Sequence, residues 1–203
     1  MIDRHALPLL RPLFHWTASM LNRRGISANQ VTLAGFALGL LAAFLVGLGW
    51  AGAAMAPLLA GRALDGIDGA LARLSGETDR GAFLDISLDF IFYAAMPLAF
   101  ALHDPAANAL AAAVLLAAFV GTGTSFLAFS ALAGKRALTS KAYPDKAIYY
   151  LGGLAEGGET LICLLAMCWW PSSFAAIAYG FAILCAITTL TRLIAGWRSL
   201  GGN

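Results

Sequence analysis

Charged residues are scarce in this chain: Asp, Glu, Lys and Arg together make up 12% of its 203 residues. Soluble domains usually carry about 25% of such residues. Here 60% of the positions are hydrophobic, and the mean hydropathy is +0.77. The shortage of charge excludes an ordinary soluble protein and predicts an integral membrane protein in contact with membrane lipids. A net charge of only +2 offers no basic surface for nucleic acid, so no nucleic-acid partner is expected.

Cysteine and histidine are also scarce, with three of each. The cysteines lie in apolar runs and lack the spacing of a disulfide framework or a zinc site: Cys163, Cys168 and Cys185. No Ser–His or Cys–His pair lies near the acidic motif described below. A mechanism with a covalent protein nucleophile is therefore not indicated.

Long apolar segments fill most of the chain. Each is about twenty residues or longer, enough to cross a hydrocarbon core of about 30 Å. The six segments are 31–50, 52–75, 82–102, 108–132, 147–169 and 174–197. Before them, arginines alternate with large apolar residues at helical spacing, which predicts an amphipathic helix in the membrane interface.

These segments define the expected fold. We expect an all-α integral membrane protein with six transmembrane helices plus an N-terminal interfacial amphipathic helix. Residues 1–203 form a single membrane domain in this scheme, with the interfacial helix at 1–26 and the six-helix part at 27–203. The loops after the first, third and fifth segments contain no Lys or Arg. By the positive-inside rule, the protein is multi-pass with both termini in the cytoplasm.

Four aspartates lie inside this apolar chain. Asp65 and Asp68 are three residues apart, and Asp85 and Asp89 are four apart, so each pair faces one way on a helix. Carboxylates within membrane segments are costly and usually functional. If the two helices face each other, the four acids converge, and a divalent cation relieves their repulsion. An all-oxygen ligand set favours Mg²⁺, Mn²⁺ or Ca²⁺ over zinc.

Small residues and an arginine accompany the acids. Gly69 and Ala72 leave bare backbone one turn beyond the first pair, Arg73 offers a guanidinium suited to phosphate, and Gly81 permits close helix approach. Together with a metal, this set indicates phosphoryl chemistry on a nucleotide-like substrate.

The complete pattern resembles the signature of the CDP-alcohol phosphotransferase (CDP-alcohol phosphatidyltransferase) family. It comprises Asp65-x2-Asp68-Gly69-x2-Ala72-Arg73 followed by Gly81-x3-Asp85-x3-Asp89. The resemblance implies transfer of a substituted phosphate from a CDP-alcohol to an acceptor alcohol, with release of CMP, in phospholipid biosynthesis. It further implies CDP-diacylglycerol as donor, Mg²⁺ (or Mn²⁺) as cofactor, a homodimer, and a bacterial inner membrane location.

The same resemblance implies individual roles. The four aspartates hold metal, Asp89 takes the acceptor's proton, and Gly69, Ala72 and Arg73 seat the CDP-alcohol. Three further residues match positions beside the nucleotide, although Ala28 replaces the usual proline: Asn29, Thr32 and Thr78. Basic residues near the fourth loop and the last segment are candidates for acceptor binding: Lys135, Arg136 and Arg192.

Several alternatives stay open at this stage. Intramembrane carboxylates also build cation transporters, although no internal repeat is present here. A soluble CDP-alcohol donor fits the motif as well, and the acceptor is not identified. Arg62, one turn before Asp65, either holds that carboxylate in place, which is the role we expect, or contacts a phosphate. Glu156 and Glu159 either form structural pairs or line an acceptor pocket.

Overall fold

The computed structural model describes the backbone of residues 3–135 and 153–201, and the side chains from residue 9 onward within those ranges. All regular structure in these ranges is helical, which confirms the predicted all-α class. The helices are α1 (Asp3–Arg23), α2 (Ala28–Gly47), α3 (Ala51–Ser75), α4 (Asp79–His103), α5 (Pro105–Lys135), α6 (Gly157–Trp169) and α7 (Phe174–Leu200), with a 3-10 turn at Pro171–Ser173.

Four helical stretches in the described ranges are long and apolar enough to cross a membrane: α2, α4, α5 and Pro171–Leu200. Helix α3 has 25 residues, but its second half carries the acidic and basic residues of the motif. Helix α6 has 13 residues. The structure thus supports a multi-helix membrane protein, while six spans and an interfacial α1 stay predictions.

The predicted segment at 147–169 differs from the structure at its start. Residues 147–152 lie outside the described residues, and residues 153–156 are not helical, so α6 begins only at Gly157. Glu156 caps this helix: its side chain accepts from the Glu159 backbone N–H, and the Glu159 carboxylate accepts from the Glu156 N–H at 3.3 Å. Such a reciprocal cap satisfies two backbone donors that a helix start leaves unpaired.

Glycines bring α2 and α3 into close contact. A Cβ atom on Gly61 would lie 2.9 Å from the carbonyl oxygen of Gly35, and one on Gly39 would lie 2.6 Å from the ring of Phe92 on α4. Large side chains fill the space beyond, and the rings of Phe100 and Phe174 stack with centroids 4.4 Å apart. This packing of α2, α3 and α4 turns the acidic faces of α3 and α4 toward each other.

Helix α1 packs against the outer side of α3. The ring of Phe14 lies directly over Gly66, where any side chain would collide with it. On the opposite side of α1, Leu9, Leu13 and Trp16 are 81%, 56% and 61% exposed. These exposed apolar residues do not pack on α3, and the interfacial position of α1 stays a prediction.

Candidate active site

Three of the four acids that the spacing predicts to converge do so, and Asp68 is not part of this set. Carboxylate oxygens of Asp65 on α3 and of Asp85 and Asp89 on α4 all lie within 4.8 Å of one another. The close contact of α2 with α3, and of α2 with α4, produces this convergence across two helices. Three carboxylates at this separation form a set that one divalent cation can bridge.

Asp68 lies deeper than the other three acids. Asp68 is 4% exposed. Among the residues that the structure describes, its Oδ2 atom and Oδ1 of Asp85 have no hydrogen-bond partner. The Thr32 side chain lies beside the Asp68 carboxylate. A buried carboxylate oxygen without a donor is costly. These oxygens therefore fit a bound divalent cation, and their all-oxygen chemistry suits Mg²⁺ or Mn²⁺.

Arg62 is the only basic side chain that ion-pairs with the acids in the part of the chain that the structure describes. Its Nη1 atom lies 2.7 Å from Oδ1 of Asp89 and 3.4 Å from Oδ1 of Asp65. Sequence spacing predicted the contact with Asp65. The shorter contact with Asp89 joins residues 27 positions apart, and no local pattern predicts it.

Of the predicted nucleotide-binding residues, Thr32 lines a small cavity together with Asp65, Asp85 and Asp89. The guanidinium of Arg73 lies over Gly69, with Nη1 3.5 Å from where a Cβ atom would be. Both Asn29 and Thr78 lie against Gly81: a Cβ atom there would be 3.0 Å from Oδ1 of Asn29. The Gly81 N–H donates to the Thr78 hydroxyl at 3.1 Å, so Thr78 caps α4.

These contacts bring three chain segments together: the start of α2, the second half of α3 and the start of α4. Ala72 is half-buried and Arg73 is exposed. The six residues predicted for the CDP-alcohol thus fall on the same three segments as the acids: Asn29, Thr32, Gly69, Ala72, Arg73 and Thr78.

A cavity of about 230 Å³ opens on the other side of Asp89. It lies between α4, α5, α6 and α7, and its polar lining includes Glu156, Thr160 and Arg192. Asp89 also lines a smaller cavity with Asp65, Asp85 and Thr32. Asp89 is therefore the residue that the linings of the two cavities have in common.

Two of the predicted acceptor-binding residues can be placed. Arg192 is 7% exposed, donates from Nη1 to the carbonyl oxygen of Thr122 at 3.2 Å and lies 5.6 Å from the ring of Phe126. Lys135 is exposed at the end of α5 and does not line the cavity. Arg136 lies outside the described residues.

Some cavity residues are not among those that the sequence motifs indicate. Tyr93, Thr122 and Thr160 line the cavity, but hydroxyl residues occur throughout apolar helices and carry no distinguishing spacing. The sequence predicts that Glu156 either forms a structural pair or lines an acceptor pocket; in the structure it caps α6 and lines the cavity. A helix-phase analysis anchored on Asp89 would have placed Tyr93 one turn further on the same face.

Comparison with known proteins identifies the family. The sequence profile of the CDP-alcohol phosphatidyltransferases matches residues 26–191, and the chain belongs to this family. It is a membrane protein that takes part in phosphatidyl transfer during phospholipid synthesis.

One relative and two solved structures illustrate the similarity. The inner membrane protein YnjF of Escherichia coli K12 is 50% identical over 200 residues, covering 98% of this chain and 97% of that protein. The phosphatidylinositol phosphate synthase PgsA1 of Mycobacterium tuberculosis with CDP-DAG bound superposes with a TM-score of 0.72 at 24% identity, over 92% and 94% of the two chains. Its complex with manganese and citrate gives a TM-score of 0.72 at 23% identity, over 91% and 88%. At these identities the two structures establish the shared fold.

Proposed function

We propose that this protein transfers the phosphatidyl group of CDP-diacylglycerol to the hydroxyl group of an acceptor alcohol and releases CMP. The observation that carries this proposal is the position of Asp89, which joins the acidic cluster to a polar-lined cavity of about 230 Å³. A transferase must hold donor and acceptor on either side of the reacting phosphorus. The two cavities that meet at Asp89 provide such an arrangement.

The donor side is formed by the start of α2, the second half of α3 and the start of α4. Gly69 leaves backbone exposed for the cytidine nucleotide, and Arg73 above it supplies positive charge for phosphate. Asn29, Thr32, Ala72 and Thr78 complete the binding surface. The structure of PgsA1 with CDP-DAG bound supports the choice of donor.

The acids Asp65, Asp68, Asp85 and Asp89 hold one or two divalent ions in this proposal. Mg²⁺ or Mn²⁺ bound here neutralises the donor's pyrophosphate and the charge that develops on departing CMP. The unpartnered oxygens of Asp68 and Asp85 support such a site, as does the crystallisation of PgsA1 with manganese.

Asp89 acts as the general base. The acceptor oxygen forms a bond to the β-phosphorus while the bond from that phosphorus to the bridging oxygen breaks. CMP departs with the electron pair, and the acceptor's proton passes to the Asp89 carboxylate. Its place in the wall of the larger cavity puts this carboxylate within reach of an acceptor there.

Arg192 is the candidate acceptor-binding residue that this cavity supports best. Its buried guanidinium lines the same cavity as Asp89 and is suited to an anionic group such as phosphate. Lys135 and Arg136 remain weaker candidates, as basic residues at and after the end of α5. A phosphate-bearing alcohol is therefore the acceptor class to test first.

The arrangement in the membrane belongs to the same proposal. We infer a single domain over residues 1–203 with six transmembrane helices, an interfacial α1 and both termini in the cytoplasm. The inner membrane of a bacterium is the location, supported by the similarity to YnjF. The many small residues on the helices suit close packing between two copies of the chain. The proposal therefore includes a homodimer.

A CMP-release assay in lipid vesicles tests the proposal. The wild-type protein is assayed with CDP-diacylglycerol or CDP-choline and a panel of free and phosphorylated alcohols. The control is Asp65→Asn, which lacks one of the carboxylates proposed to bind the metal. CMP release that requires CDP-diacylglycerol and one acceptor supports the proposal, and exclusive use of CDP-choline favours a soluble donor. Cation flux into vesicles without CMP release would instead support a transporter.

A further inference from the structure

The half of α3 that carries the acids also has an apolar side, and α1 packs on it. Ile67 and Ala70 point away from the acids by helical phase. Together with Leu71 they are buried in one cluster with Ala18 of α1 and Val31 of α2. Among the described side chains, the larger buried core of the protein includes no residue of α1. The buried contacts of α1 are therefore concentrated behind the acid-bearing half of α3.

Phe14 of α1 contacts the backbone of the acidic turn itself. A Cβ atom on Gly66 would collide with Cε2 of the Phe14 ring and would lie 2.9 Å and 3.0 Å from its Cζ and Cδ2 atoms. Gly66 directly follows Asp65 and lies two residues before Asp68. The ring thus lies against the stretch of main chain that joins the two acids of α3.

The turn between α1 and α2 holds α1 in this position. The carbonyl oxygen of Leu21 accepts from the backbone N–H groups of Arg24 at 3.0 Å and of Ile26 at 3.1 Å. Gly25 between them has a φ of 73°, a conformation that glycine adopts at little cost. Leu21 and Ile26 also pack against the buried cluster behind the acids. Helix α1 is therefore fixed both by this closed turn and by its contact with α3.

The acids depend on the placement of α3 relative to α4. Asp65 comes from α3, whereas Asp85 and Asp89 come from α4, and their oxygens converge within 4.8 Å. A metal site loses affinity when the groups behind its ligands no longer hold them in place, typically by about 10–100-fold. A side chain that fixes the main chain beside Asp65 is thus in a position to control metal affinity without touching the metal.

We infer that Phe14 is a positioning residue of the acidic site. Through Gly66 it holds the turn that carries Asp65 and Asp68 in register with the acids of α4, so the affinity for a divalent ion depends on the packing of α1. This inference rests on the proposed function for the identity of the metal site. It gives the ring of Phe14 a task beyond filling space between two helices.

The test is the affinity for Mn²⁺ of the purified full-length protein, measured from the electron paramagnetic resonance signal of unbound Mn²⁺. Asp65→Asn defines how much of the binding belongs to the acidic site. Leu13→Ala is the matched control, because it removes a neighbouring apolar side chain of α1 that is 56% exposed. Thermal unfolding in EDTA measures the stability of each variant without metal. No CDP-alcohol is used, so the result is independent of CMP release.

Phe14→Ala is expected to weaken the Asp65-dependent affinity for Mn²⁺ by about 10–100-fold, Phe14→Leu to weaken it less, and Leu13→Ala to leave it unchanged. Gly66→Ala should weaken it as well, because the new methyl group collides with the ring. Adding Phe14→Leu to Gly66→Ala should restore part of that loss, since two residues in contact do not act additively.

A folded Phe14→Ala variant with wild-type affinity for Mn²⁺ would overturn the inference, even if that variant is less stable in EDTA. A wild-type protein without Asp65-dependent binding would overturn it too. If Phe14→Ala does not fold, Gly66→Ala and the double variant with Phe14→Leu decide, and equal affinities of these two would count against the inference.

Discussion

The hydroxyl of Thr188 on α7 accepts hydrogen bonds from the backbone N–H groups of Ala155 at 2.9 Å and of Leu154 at 3.1 Å. Thr188 is fully buried. One side chain of the last helix thus supports the non-helical segment that precedes α6. That segment includes Glu156, which lines the larger cavity. The shape of the cavity therefore depends on a contact between α7 and this segment.

Thr188→Val is expected to destabilise the protein by about 1–3 kcal/mol, because two backbone donors lose their acceptor in a buried place. Thr188→Ser keeps the hydroxyl and should lose less. The measurement is thermal unfolding in detergent. Thr124→Val is the matched control, since the exposed Thr124 hydroxyl donates to carbonyl groups of its own helix. Equal losses for Thr188→Val and Thr124→Val would contradict the supporting role.

Asp68→Asn is expected to reduce CMP release by roughly 100-fold or more, because the amide keeps the volume but removes a ligand charge from the metal site. Mn²⁺ binding should weaken in parallel. Asp79→Asn, an exposed acid in the first turn of α4, provides the control and should keep its activity. Chelation of the wild-type protein with EDTA should abolish turnover, and Mn²⁺ should restore it. Undiminished release from Asp68→Asn would remove Asp68 from the metal site.

Gly61→Ala is expected to lower stability by about 1–3 kcal/mol, because the new methyl group meets the backbone carbonyl of Gly35 and the helices must separate. Activity should fall as well, since Arg62 and Asp65 follow on the same turn of α3. Gly180→Ala is the control: a Cβ atom at Gly180 meets nothing within 4 Å. Thermal unfolding and CMP release measured on both variants check the expectation. If Gly61→Ala had wild-type stability and turnover, the close contact between α2 and α3 would not be required for either property.

The sequence predicted what depends on local spacing. The i, i+3 and i, i+4 pairs of aspartates placed four acids on two helix faces, and the structure brings Asp65, Asp85 and Asp89 together. The Arg62–Asp65 contact followed from one helical turn. By contrast, the Arg62–Asp89 pair and the Thr188 contact join residues 27 to 34 positions apart. Such contacts depend on how whole helices pack, and no periodicity within a helix encodes them.

The start of α6 illustrates a signal that was present but ambiguous. A continuous apolar segment at 147–169 was predicted from hydropathy, yet residues 153–156 are not helical. Only Glu159, three residues after Glu156, fits the capping-box pattern of a helix start, because Glu156 itself is not a usual N-cap residue. Hydropathy averaged over about twenty residues does not reveal such a start, because capping involves only a few residues.

Arg192→Ala distinguishes the two roles that its position allows. If Arg192 binds a phosphate group of the acceptor, the variant should raise the acceptor KM by about 10–100-fold, since one charge-assisted contact contributes about 1.5–3 kcal/mol. The KM for CDP-diacylglycerol should stay nearly unchanged, because the donor surface lies on the far side of Asp89. If Arg192 instead serves the packing of α5 and α7, through the Thr122 carbonyl and Phe126, the variant should lose stability with little change in KM.

Thermal unfolding and both KM values, measured on Arg192→Ala and Arg192→Lys, separate these outcomes. Arg198→Ala, at the exposed end of α7, controls for the loss of positive charge. A raised acceptor KM in Arg192→Ala, partly restored in Arg192→Lys and absent in Arg198→Ala, would identify a phosphate-bearing acceptor. Lost stability at constant KM would favour an uncharged alcohol or a lipid acceptor.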